Sequence, residues 1–241
     1  MTSRFISHEN CPSCGSKDNL GVWDDNHKYC FGCGYYKSGT TNVKTVFEEP
    51  KNSKTTTEYP HDITSTYPIE ALKWLNSCGI TNSLQKQYQI HWSPSKQLIC
   101  WKIWGSNGTI IGWQGRCFAK NAKTKYVIHG KIHDDICILP NTNPKPTTIV
   151  LVEDYLSAIR VSNYLPCMPL FSCNISTNHL QGLSKTFKKI IVWLDSDKLD
   201  NARKIAIRIS LLGIHGQVLY TQNDPKNYTD TQIKDYLEAL V

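Results

Sequence analysis

Asp195-Ser-Asp197 closes the apolar run Ile190-Ile-Val-Trp-Leu194. In an extended chain the side chains at i and i+2 point the same way, so both carboxylates would face one spot. Two like charges held together are unfavourable unless a proton or a cation sits between them. The natural cation is Mg²⁺, which binds one or two protein carboxylates and completes its shell with phosphate oxygens and water. A solvated turn is the alternative, because Asp and Ser are common there. A third carboxylate, Glu153, closes the apolar run at 148–152, and neighbouring strand ends would bring all three together. Asp154 beside it reads equally as a metal ligand or as the N-cap of a following helix.

A second constellation is Cys11-Pro-Ser-Cys14-Gly15 with Cys30-Phe-Gly-Cys33-Gly34. Each Cys-x-x-Cys-Gly forms a tight knuckle whose two thiolates grip one cation, and two knuckles complete a tetrahedron around Zn²⁺. The glycine after each pair permits the turn that aims backbone N–H groups at sulfur. Fifteen residues separate the pairs, which suits a small hairpin structure that folds around its metal. A disulfide or redox pair is the competing reading, and His8 is an alternative ligand.

The elements that must position these groups fall into three parts. A Cys-rich module (1–40) precedes a polar, Thr- and Lys-rich tether (41–67) with the composition of a flexible linker. In the first half of the body (68–146), helices are predicted over 68–76 and 81–88. Strands follow over 98–104, 109–117, 126–129 and 136–139, with 143–146 as a connector. In the second half (147–241) strands at 148–152, 168–171, 190–194 and 217–220 alternate with helices at 155–165, 177–183, 199–212 and 231–240. That alternation predicts a parallel sheet with its ligand site at the C-terminal strand ends.

Charge is distributed unevenly. The chain has 241 residues and net charge +7, yet from Ala71 to His133 it holds no Asp or Glu and five of its seven Trp. A basic stretch with interleaved aromatics suits phosphates and bases better than a plain solvated face does. No apolar run is long enough to cross a bilayer and the N-terminus is no signal peptide, so a cytoplasmic location and no membrane partner are expected.

Glu at one strand end and Asp-x-Asp at another resembles the Toprim fold of primases, topoisomerases and some nucleases. With the Cys quartet in front, the chain from about Asn10 onward is similar to DnaG-type DNA primases, most of all the primase part of bacteriophage primase–helicases. Gly112-Trp-Gln-Gly-Arg116 with Lys123-Thr-Lys125-Tyr126 is similar to that family's basic motif, and Asp224-Pro-Lys226-Asn227 to its late Toprim motif. Asp25-Asn-His27-Lys-Tyr-Cys30 resembles the hairpin in which Asp and His contact template bases, although His27 reads equally as packing on Tyr29 or Trp23. There are two departures. Asp197-Lys-Leu-Asp200-Asn-Ala-Arg203-Lys204 lacks the family's Gly and shifts its basic pair, and Asp154 stands where Gly is more usual.

The resemblance implies an α/β architecture, α+β overall: a zinc ribbon, a small mixed α+β subdomain and a Toprim parallel-sheet subdomain. It implies synthesis of short RNA primers on single-stranded DNA from ribonucleoside triphosphates, by two-metal nucleotidyl transfer. Cys11, Cys14, Cys30 and Cys33 would hold one structural zinc. Glu153, Asp195 and Asp197 would hold two or more Mg²⁺ or Mn²⁺, with Lys125 as a further catalytic residue. Arg116, Lys120, Lys123, Lys125, Asp224 and Lys226 would bind nucleotide and template, and Asp25 and His27 would read the template. The sequence has no Gly-x-x-x-x-Gly-Lys-Ser/Thr loop, so a separate replicative helicase and a DNA polymerase are expected partners; the location would be the host cytoplasm if the source is a phage. A Toprim nuclease and a single-stranded DNA-binding protein with a degenerate site are the alternatives.

Overall fold

The computed structural model describes residues 3–39, 58–139 and 146–240. It separates into two compact units, residues 1–54 and 55–241.

The N-terminal unit is one antiparallel sheet in the order β1 (Phe5–Glu9), β2 (Leu20–Trp23), β3 (Lys28–Cys30) and β4 (Tyr36–Lys37). Its buried apolar residues are Cys11, Leu20, Val22 and Cys30, with Tyr35 packed against Cys11, Leu20 and Cys30. So little apolar surface cannot fold a sheet unaided. Most of its other aromatics lie on the surface, and Phe5, Phe31 and Tyr36 are exposed.

The second unit holds two sheets. Helices α1 (Ile69–Ser77) and α2 (Asn82–Gln87) lead into an antiparallel sheet ordered β5 (His91–Ser93), β6 (Leu98–Trp104), β7 (Ile110–Cys117), β8 (Tyr126–Gly130). The second sheet is wholly parallel, in the order β10 (Cys167–Pro169), β9 (Thr148–Val152), β11 (Lys189–Trp193), β12 (His215–Val218). Around it lie α3 (Tyr155–Val161), α4 (Thr177–Ser184), α5 (Leu199–Leu211) and α6 (Asp230–Glu238). Local sequence sets the helix starts. Thr81, Asp154 and Ser176 cap α2, α3 and α4 through their side chains, and Thr229 with Gln232 forms a capping box on α6.

Strands β9 and β11 are buried on both faces, which explains their unbroken apolar sequences. Val150, Val152, Ile191 and Trp193 join a core shared with α1, α3 and β6. The alternate residues Ile149, Leu151, Ile190 and Val192 pack on the other side with residues of α4 and α5.

Two expectations are corrected. Residues 136–139 form no strand; only Leu139 makes an isolated bridge, to Cys167. The end of the expected tether, 58–67, is fixed to the antiparallel sheet. Thr64 bridges to Trp92, the Asp62 carboxylate accepts from Ser93 and Ser95, and the Tyr67 hydroxyl donates to the Ile90 carbonyl at 2.6 Å. Polar composition concealed these anchors. The rest of the tether, 40–57, and most of the expected connector lie outside the described residues.

Arg160 is the buried cation of this unit. Its guanidinium donates to the carbonyls of Cys78 (3.1 Å), Lys226 (3.2 Å) and Tyr228 (2.9 Å) and to the Asp230 carboxylate (2.8 Å). It therefore ties the end of α1 to the segment before α6. Arg160→Met leaves the Cys78 and Tyr228 carbonyls buried and unpaired, and a loss of about 3–5 kcal/mol is expected from denaturant unfolding.

Candidate metal and nucleic-acid site

Parallel pairing aligns Trp193 with Val152, so Glu153 and Asp195 emerge beside each other at the C-terminal edge of the sheet. Glu153 Oε2 and Asp195 Oδ1 are both buried, and neither has a hydrogen-bond partner among the described residues. Burial, followed by the charge of Glu153, pushes the Asp195 carboxyl up to about 7 from its ordinary 3.8. Burial also raises Glu153, with Asp197, Asp154 and Asp224 adding to the shift against Lys198. Paired buried carboxylate oxygens lacking any donor fit a cation.

Asp197 does not share that burial. Asp195 leads into a 3₁₀ turn, Ser196–Lys198, that runs directly into α5, so the i, i+2 geometry of an extended strand does not apply. The Asp197 side chain is 70% exposed and pairs with Lys198. No residue of this turn needs a positive φ, which accounts for the absent glycine after Asp-x-Asp. Asp200 and Arg203 pair at 3.6 Å on the exposed face of α5.

Asp154 is the N-cap of α3. Its Oδ1 accepts from the Leu156 and Ser157 backbone N–H groups, and its Oδ2 accepts from the Ser157 hydroxyl at 2.6 Å. Lys226 stands between Asp154 and Asp224, its Nζ at 2.9 Å and 2.7 Å from them. Burial alone would depress the Lys226 ammonium, but the two carboxylates outweigh it and hold its pKa well above the ordinary value.

Arg116 projects from β7, with its guanidinium over the rings of Trp74 (5.3 Å) and Tyr126 (5.0 Å). Burial pushes the Tyr126 phenol up, and Asp154, Arg116 and Lys226 all act on it electrostatically. Lys120, Lys123 and Lys125 are exposed on the connection between β7 and β8.

In the N-terminal unit the four Sγ atoms of Cys11, Cys14, Cys30 and Cys33 lie within 4.8 Å of one another. The Cys11–Cys33 and Cys14–Cys30 separations are 3.7 and 3.8 Å. A tetrahedral ion with Zn–S of about 2.3 Å requires sulfurs about 3.8 Å apart, whereas a disulfide requires about 2.05 Å. Gly15 and Gly34 take φ of +69° and +76°, and each donates to the carbonyl of the first Cys of its pair. The cluster is compatible with one zinc. His27 stacks on Trp23, centroids 4.3 Å apart, and its Nδ1 meets Asp25 Oδ1 at 2.5 Å. Burial raises the Asp25 carboxyl, but the hydrogen bonds and charge of His27 together outweigh it and lower its pKa.

Sequence reasoning passed over Lys198 and Arg160. Lys198 adjoins Asp-x-Asp, and Arg160 is the only charged residue in α3; those were the available signals.

A four-cysteine ribbon, an aromatic-rich antiparallel sheet and a parallel sheet with a carboxylate edge define a mixed α+β protein. No family model and no curated protein matches the sequence, but solved structures match the fold. The Aquifex aeolicus primase, with its zinc-binding and RNA polymerase domains, aligns over 99% of this chain and 80% of its own at TM-score 0.56 and 13% identity. A DnaG primase catalytic domain bound to ssDNA covers 75% of this chain and 74% of its own, at TM-score 0.56 and 14% identity. The E. coli primase catalytic core covers 70% and 71%, at TM-score 0.52 and 16% identity. The fold is that of DnaG-type primases. No helix among the described residues is long and apolar enough to cross a membrane.

Proposed function

We propose that this chain is a DNA primase that makes short RNA primers on single-stranded DNA, with the parallel-sheet half as its Toprim catalytic subdomain. The observation that carries the reading is the pair of buried, unpartnered oxygens of Glu153 and Asp195 at adjacent strand ends of a primase fold. These two residues would hold Mg²⁺ or Mn²⁺, with exposed Asp197 free to turn toward it on exchanging Lys198. The bound cation supplies Lewis-acid activation of the attacking 3′-hydroxyl and neutralises charge on the leaving pyrophosphate.

The remaining work falls to the chain's own groups. Arg116, braced by Trp74 and Tyr126, offers a planar fork of donors to phosphate oxygens. Lys120, Lys123 and Lys125 add point charges along the nucleotide and template path. In the N-terminal unit, Asp25 and His27 read template bases beside the Trp23 ring, with zinc fixing the ribbon.

The test is incorporation of labelled ribonucleotides on single-stranded templates with Mg²⁺. Wild type is expected to yield short RNA. Glu153→Gln should lower the yield at least ~10³-fold, equivalent to about 4 kcal/mol of barrier, while single-stranded DNA binding by anisotropy is unchanged. Synthesis retained in Glu153→Gln would overturn the metal assignment. DNA cleavage by wild type without nucleotides would favour a nuclease instead.

A further inference from the structure

Five carboxylates act on one another electrostatically near the C-terminal edge of the parallel sheet, and their partners divide them. Glu153 and Asp195 each keep a buried oxygen with no donor among the described residues, and Asp197 is exposed beside Lys198. Asp154 and Asp224 are already satisfied. Both bind the Lys226 ammonium, whose side chain is only 14% exposed, and Asp154 is further committed to the N-terminus of α3. Lys226 is itself held from behind, because its carbonyl accepts from Arg160 and its residue lies in the 3₁₀ turn Pro225–Asn227.

Charge points the same way. Five carboxylates set against the ammoniums of Lys198 and Lys226 leave three negative charges when all are ionised. One divalent ion neutralises most of that. A second, placed against Asp154 or Asp224, would have to displace Lys226 from a nearly closed pocket or sit beside its positive charge. In two-metal sites the ions lie about 3.5–4 Å apart and share flanking carboxylates, and here the flank is taken.

We propose that Lys226 serves as a built-in monovalent substitute for one metal ion. The second unit then binds a single divalent cation tightly, at Glu153 and Asp195, rather than the two or more that the sequence implies. The fixed ammonium takes over part of the charge neutralisation that a second ion supplies elsewhere. The inference rests on the metal reading given under Proposed function.

Mn²⁺ titration of the zinc-loaded full chain, with free Mn²⁺ read by electron paramagnetic resonance, tests it without reference to activity. Wild type is expected to show one tight site, and Lys226→Met a second. Asp224→Asn should keep one site with affinity changed less than ~3-fold, since Asp224 is not a ligand; this variant answers the question even if Lys226→Met fails to fold. Two tight sites in wild type, or a single site in folded Lys226→Met, would overturn the substitution. So would a tenfold or greater loss of affinity in Asp224→Asn. Wild type binding no Mn²⁺ would instead overturn the metal reading on which the inference stands.

Discussion

Asp195→Asn is expected to stabilise the metal-free protein above pH 7 while abolishing the proposed primer synthesis. The reason is the same burial that makes the site. The folded state raises the Asp195 carboxyl to about 7 from 3.8, with Glu153 as its closest like charge. A carboxyl raised on folding contributes stability that is complete below its ordinary value and is lost as pH climbs through the folded value. Metal-free wild type should therefore lose melting temperature between about pH 4 and pH 7 and remain low above. Glu153 is shifted in the same direction, so the proton belongs to the pair. Asparagine cannot ionise, so the variant escapes most of this loss. A chain of this size gains about 2–4 °C for each 1 kcal/mol recovered.

Added Mg²⁺ should reverse the order. Above pH 7 it should raise the melting temperature of wild type by binding the ionised pair, and leave Asp195→Asn nearly unmoved. Scanning fluorimetry across that range, with and without Mg²⁺, reads both effects. A variant less stable than wild type at every pH would show that Asp195 has a structural partner and that its oxygen is not orphaned.

How much of this was legible depended on whether local sequence or tertiary pairing fixed each feature. The alternation of β9, α3, β10, α4, β11, α5 and β12 could be read because β9, β10 and β11 are apolar runs bounded by capping or turn residues. Glu153 and Asp195 could be placed together because parallel register follows from that alternation. The knuckles were legible because two short spacings suffice to specify them. By contrast, Asp197 was misplaced because whether a chain continues extended or turns into 3₁₀ depends on the following helix. The anchoring of 58–67 rests on Tyr59, Asp62 and Tyr67 finding partners far along the chain. Lys226 read as a nucleotide- and template-binding residue, and only the fold shows two carboxylates closing on it.

Removing the metal from the four cysteines is expected to unfold the N-terminal unit and leave the second unit intact. The ribbon's buried apolar residues are Cys11, Leu20, Val22 and Cys30, so two of the four are themselves thiols of the cluster. Its strands are short, β4 having two residues, and such ladders do not stand alone. Structural zinc supplies on the order of 10 kcal/mol in small domains of this type, more than so small a core can replace. The second unit has its own extensive cores and holds none of the four cysteines. Chelation, or Cys14→Ser with the exposed thiol lost, should abolish the near-ultraviolet signal of Trp23 stacked on His27 and open residues 3–39 to protease. A fragment covering the second unit should survive with unchanged melting behaviour. Under the primase reading, this treatment removes template-dependent initiation but spares extension of a supplied oligonucleotide, because template reading and phosphoryl chemistry reside in separate units. A ribbon that keeps its tryptophan signal after chelation would mean that the aromatic face, Phe5, Trp23, His27 and Phe31, holds the sheet without metal.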